Sequence, residues 1–177
     1  MKKILSIFTL LFIIMAFGCQ QQKEQKQQTS PVSMAVPGPS PMEIEQLKAA
    51  TKNSPKNAQT WISLGDALMD SRRFNEAIDA YQKGLELDPK NVNARVDMGT
   101  CYRGIGKFDN AVEEYRKAIR IDPNFPTSHR NLAVVLATDL HQNQEAVKEI
   151  QKYLELAPNA PDAGEMRQTM QKLSASK

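Results

Sequence analysis

Trp61-Ile62-Ser63-Leu64-Gly65-Asp66-Ala67-Leu68 decides the fold, because the chain returns to it twice. Thirty-four residues later stands Arg95-Val96-Asp97-Met98-Gly99-Thr100-Cys101-Tyr102, and thirty-four later again His129-Arg130-Asn131-Leu132-Ala133-Val134-Val135-Leu136. A second block follows each octet: Phe74, Ala77, Tyr81 and Pro89, then Phe108, Ala111, Tyr115 and Pro123, then Ala146, Ile150 and Pro158. The last block arrives one residue late, which predicts a one-residue insertion within Thr138 to Gln144. A fixed period of this length marks stacked supersecondary units, none of which can bury its apolar face alone. Apolar residues three and four apart make both blocks helical. Leu64, Met98 and Leu132 are therefore expected in the core. Ala77 and Ala111 are small where two helices must approach.

Pro89, Pro123 and Pro158 close the units, since proline cannot continue a helix and restricts the residue before it. Asn57, Asn91, Asn124 and Asn159 follow and are expected to cap the next helices. Pro126 and Pro161 fall where a first helical turn tolerates proline. Outward from the three copies, Met42 to Asn53 reads as one helix with Ile44, Leu47 and Ala50 on one face. Ala160 to Ser174 reads as another, with Met166, Met170 and Leu173 inward and Glu165, Arg167, Gln168, Gln171 and Lys172 outward. Such half-units cover the open ends of a stack.

The combination W-x2-L-G-x2-L, A-x3-Y and P, repeated over residues 58–159, resembles the tetratricopeptide repeat (TPR) family. The resemblance implies an all-α solenoid of antiparallel helix pairs occupying residues 42–177. Its repeats are expected at about 58–91, 92–125 and 126–159, followed by a capping helix at 160–174. Departures are the insertion, Arg95 and His129 in place of the first aromatic, and Gly84 and Tyr153 in place of a usual alanine.

Ahead of the repeats, Lys2 and Lys3 precede an apolar run from Ile4 to Phe17. The run is shorter than the roughly 20 residues a spanning helix needs and suits a signal-peptide core over residues 1–18. Ala16-Phe17-Gly18-Cys19 resembles a bacterial lipobox, although the family would place Leu at Ala16. The resemblance implies lipidation of Cys19 and an exported chain anchored to a membrane of the bacterial envelope. In a host with two membranes that would be the periplasmic face of the outer membrane. A plain cleaved signal or a retained anchor are the alternatives. Residues 19–41, rich in Gln and Pro, have no apolar period and read as a disordered linker.

Lysine and arginine number 23 against 20 acids. Without the signal and linker charges Lys2, Lys3, Lys23, Glu24 and Lys26 the balance is 19 against 19, so nothing argues for nucleic acid. Catalytic patterns are missing. Cys101 is expected as a packed thiol, His129 as a packing residue and His141 in the inserted loop. The two histidines have no metal-ligand spacing. Asp66, Asp70 and Asp97 lack a His or Lys partner arrangement and read as a solvated face. No cofactor or metal is expected, and the chain is read as no enzyme.

What remains is the surface made by stacking. The resemblance implies a concave groove lined by the first helix of each repeat. Carried over by position, its lining is Gln59, Ile62, Asp66, Met69 and Asp70, then Asn93, Val96, Asp97, Thr100 and Arg103, then Thr127, Arg130, Asn131, Val134 and Ala137. Ile62, Met69 and Val96 would supply apolar contact, while the aspartates, Arg103 and Arg130 would orient a protein or peptide partner. Repeat domains that grip acidic chaperone C-termini use Lys and Asn at positions held here by Ile62, Asp66, Asp97, Thr127 and Asn131. Carboxylates there would repel such a ligand. The reading is a membrane-tethered interaction scaffold with room for homo-oligomers. The alternative is an envelope assembly factor similar to TPR proteins of cytochrome c biogenesis.

Overall fold

Each copy becomes a pair of packed helices, and the reasons can be followed residue by residue. The computed structural model describes residues 38–175, so the signal, Cys19 and nearly all the linker lie outside the described residues. Ser40 accepts a hydrogen bond from the Glu43 amide at 3.2 Å and starts α1 (Pro41–Asn53). The repeats follow as α2 (Ala58–Asp70) with α3 (Phe74–Leu87), α4 (Val92–Gly104) with α5 (Phe108–Ile121), and α6 (Pro126–Val134) with α7 (Asn143–Leu156). Helix α8 (Ala163–Ala175) ends the stack, and no strand occurs among the described residues. The two helices within a repeat pack most extensively, α1 covers α2, and α8 covers α7.

Asn57 and Asn91 cap as expected, accepting from the Gln59 amide at 2.9 Å and the Ala94 amide at 3.0 Å. Asn124 and Asn159 do not. Pro126 at the start of α6 moves the cap position to Phe125, and the Asn124 amide instead donates to Asp122 at 2.9 Å. The last helix begins at Ala163, later than the sequence suggests, leaving Asn159 and Pro161 in the preceding turn.

The insertion is absorbed by a π-helical turn, Val135–Asp139, that continues α6. The Leu140 amide reaches back to the Val135 carbonyl at 3.0 Å, five residues away. One extra residue inside a helix is what a π-bulge accommodates. The insertion therefore starts three residues earlier than the sequence placed it. The turn after it stays in step with the others. Arg72 (φ 58°), Gly106 (φ 75°) and His141 (φ 55°) occupy equivalent left-handed positions. Only glycine takes that conformation freely, so Arg72 and His141 each carry a cost of roughly 1 kcal/mol.

Packing repeats as pairs of residues rather than single ones. Leu64, Met98 and Leu132 are all buried, as are Ala77 and Ala111. A Cβ at Gly65 would come within 2.7 Å of the Tyr81 ring, and one at Gly99 within 2.7 Å of the Tyr115 ring. The third copy resolves the same space differently, with buried Ala133 and Ile150 sharing a core cluster. Glycine is thus required where the partner is tyrosine and dispensable where it is isoleucine.

Candidate functional site

Helices α2 and α4 touch one another, as do α4 and α6, whereas α3 and α5, or α5 and α7, do not pack comparably. The first helices therefore form the inner side of the stack. Gln59, Asn93 and Thr127 lie exposed near its starting edge, Asp70 is exposed at the end of α2, and Met69, Thr100, Asn131, Val134 and Ala137 are half-buried along it.

Two expected contact residues are not available. Ile62 is 6% exposed and Val96 only 2%. A Cβ on Gly84 would meet Ile62 at 2.7 Å, so Ile62 fills the space that glycine vacates on α3. Val96 shares its core cluster with Ala118, the equivalent of Gly84 one repeat on. In the third copy the pair is Arg130 and Tyr153. The missing alanine methyl at Gly84 was the sequence signal that Ile62 turns inward.

The acids form the other half of the site. Asp66 is half-buried and accepts a hydrogen bond from the Tyr81 hydroxyl at 2.8 Å. Burial raises its carboxyl above the usual range, the Tyr81 bond opposes that, and Asp70 adds to it. Asp97 on the neighbouring helix is pushed up to about 6 by burial first, then by Asp66 and Asp70. No cation pairs with any of the three among the described residues. A recess of about 340 Å³ lies against Asp66 and Asp70, lined also by Pro39, Glu43, Leu47, Ser63 and Ala67. Asp66 and Asp97 are not the freely solvated carboxylates that the sequence suggests, whereas Asp70 is exposed as expected.

A pH dependence follows. The folded pKa of Asp97 exceeds its ordinary value, so its contribution to stability is complete below about pH 4 and is lost as pH rises through about 6. Asp97→Asn should therefore stabilise the domain relative to the parent at about pH 7.5 and much less at about pH 4.5. Urea midpoints at the two pH values check this; an equal difference at both would show that Asp97 ionises as it does in the unfolded chain.

The arginines behave oppositely. Arg103 Nε donates to Asp139 at 2.5 Å and its Nη2 to Thr138 at 3.3 Å. Arg130 Nε donates to Asp162, which also accepts from the Tyr153 hydroxyl. Both cations expected to orient a partner are thus engaged within the chain. Asp139 and Asp162 were missed from sequence. Asp139 reaches Arg103 from the π-helical turn, and Asp162 sits in the turn before α8.

No other chemistry gathers. The Cys101 thiol is fully buried and pushed up to about 12 by burial, then by Asp97 and Asp66. His129 is buried, with Nδ1 2.7 Å from Glu149 and Nε2 3.0 Å from the Pro123 carbonyl. No group of His, Cys, Asp and Glu among the described residues could hold a metal ion.

Comparison with known proteins fits this geometry. Residues 58–91 and 80–113 match models described as tetratricopeptide repeat, and residues 99–139 one described as TPR repeat. The folded region is a tetratricopeptide-repeat domain. A relative, small glutamine-rich tetratricopeptide repeat-containing protein 2 of Mycosarcoma maydis, is 47% identical over 45 residues. That match covers 25% of this chain and only 13% of the relative's length. Among solved structures, MamA aligns with a TM-score of 0.66 at 21% identity, over 74% of this chain and 82% of its own. The first TPR of Spaghetti (RPAP3), bound to the HSP90 peptide SRMEEVD, aligns at 0.62 with 26% identity, over 67% and 97%. The TPR domain thus shares its fold with repeat domains that hold peptides.

Proposed function

We propose that this TPR domain is a non-catalytic docking module whose inner face takes a positively charged segment of a protein partner. The observation that carries the reading is the group Asp66, Asp70 and Asp97, without a cation among the described residues, beside two arginines already neutralised by Asp139 and Asp162. Half-buried Asp66 and Asp97, beside each other and exposed Asp70, are relieved by a lysine or arginine, and complementary charge of this kind sets partner choice and speeds encounter. The peptide held by the Spaghetti domain contains the acidic run EEVD. Such a ligand would add negative charge to the inner face here, so the favoured sign is the reverse. Met69, Val134 and Ala137 supply apolar contact in place of Ile62 and Val96. Titrating the domain with a fluorescent lysine-rich peptide and a glutamate-rich one tests this. Binding of the lysine-rich probe that weakens with salt is expected; equal or preferential binding of the glutamate-rich probe would refute it.

The module is further proposed to work at a membrane of the bacterial envelope, tethered through Cys19. The support is the Gly18-Cys19 pair at the end of the apolar run and the polar linker after it. Cys19→Ala should abolish metabolic labelling with palmitate and leave an unprocessed precursor. Undiminished labelling would remove the lipid anchor from the account.

A further inference from the structure

We propose that Asp139 and Asp162 are specificity-determining positions, which act by masking Arg103 and Arg130 and so give the inner face its single sign. The inference rests on the docking reading above and deepens it. The inner face carries two arginines that sequence alone would count as binding cations. Each is claimed by an acid from the next unit along the stack: Arg103 on α4 by Asp139 in the π-helical turn, Arg130 on α6 by Asp162 ahead of α8. These contacts join successive units, at separations of 36 and 32 residues, unlike the local ion pairs Arg73–Glu76 and Lys83–Glu86.

The masking acids are better covered than the arginines. The Asp139 side chain is 18% exposed and Asp162 21%, against 39% and 42% for Arg103 and Arg130. The guanidinium groups therefore lie at the surface, where an acidic ligand could reach them if they were released. Asp162 is held further by the Tyr153 hydroxyl, which with Arg130 keeps its carboxyl below the usual range. The Thr138 hydroxyl adds a second contact to Arg103. Asp139 lies in the part of the chain changed by the extra residue. Its equivalent is Asp70 in the first copy and Gly104 in the second, and neither of those is paired with an arginine. The π-helical turn thus coincides with the departure that removes a positive charge from the site.

Asp139→Asn and Asp162→Asn keep size and shape while releasing the charge, and the same two peptide probes report the result. Each substitution is expected to raise affinity for the glutamate-rich peptide by about fivefold, a change of about 1 kcal/mol. Each should also lower the lysine-to-glutamate preference, with the double variant shifting furthest. Asp139→Glu should retain the parent preference, and Arg103→Gln added to Asp139→Asn should restore it. A purely structural role would lower stability but leave the ratio of the two affinities unchanged. If one variant fails to fold by circular dichroism, the other decides, because the two acids occupy separate elements. A parent that prefers the lysine-rich probe, with folded Asn variants of unchanged ratio, overturns this inference and leaves the docking reading standing. A parent that binds neither probe overturns both.

Discussion

Glu114→Ala should destabilise the domain by about 3–5 kcal/mol, the cost of breaking a buried ion pair by removing one partner. Arg95 and Glu114 meet at 2.8 Å with their side chains 13% and 8% exposed. Arg95 also donates to the Pro89 carbonyl at 3.0 Å, and its Nε is buried without a partner. Losing Glu114 would leave that guanidinium with one carbonyl in a poorly solvated site. Lys117 would keep Glu113. The first repeat shows a different solution to the same position. Trp61 replaces the arginine and donates from Nε1 to the Pro55 carbonyl at 3.0 Å, while Ala80 stands where Glu114 would be. The third repeat uses His129, with Glu149 and the Pro123 carbonyl.

The equivalent position thus sends an N–H to the closing proline's carbonyl in all three repeats, and acquires an acid where that residue is Arg or His. Arg95→Trp combined with Glu114→Ala recreates the first repeat's pair and should recover most of the loss, because well-packed apolar residues often replace buried ion pairs without penalty. Chemical denaturation of the single and double variants decides it. A double variant as unstable as Glu114→Ala alone would mean that the repeats match in sequence position but not in packing.

That comparison also indicates how much could be read from the chain in advance. The period and the helical spacing fix which segments are helical and which repeated positions form the shared core, since both follow from one-dimensional pattern. Leu64, Met98, Leu132, Ala77 and Ala111 are buried for that reason. The pattern does not reach residues whose environment depends on a partner elsewhere. Ile62 and Val96 turn inward because Gly84 and Ala118 leave room. Arg103 and Arg130 are engaged because Asp139 and Asp162 lie next to them in space. Asn124 gives up its cap because Pro126 resets the helix start. Part of this was readable: pairs such as Gly65 with Tyr81, Gly99 with Tyr115, and Ala133 with Ile150 vary together between copies. The Asp139 contact was not, since it depends on how one extra residue is absorbed within a helix.

Asp97 connects stability with function. A carboxylate whose pKa burial has pushed up to about 6 detracts from stability at neutral pH. Asparagine should be better tolerated there, so the aspartate is kept at some cost. Strained or destabilising groups of this sort are commonly retained where binding needs them. Docking of a cation would recover that cost on binding.

The most direct test compares the two faces of the stack for binding the lysine-rich probe. Asp70→Lys combined with Asp97→Asn changes the inner face, and Glu113→Lys combined with Lys117→Glu changes the outer one, with circular dichroism confirming helix content in each. The account predicts that the inner-face variant loses at least about thirtyfold in affinity, about 2 kcal/mol, while the outer-face variant binds as the parent does. An inner-face variant that binds normally, beside an outer-face variant that does not, would contradict it and make the second helices of the repeats the working surface.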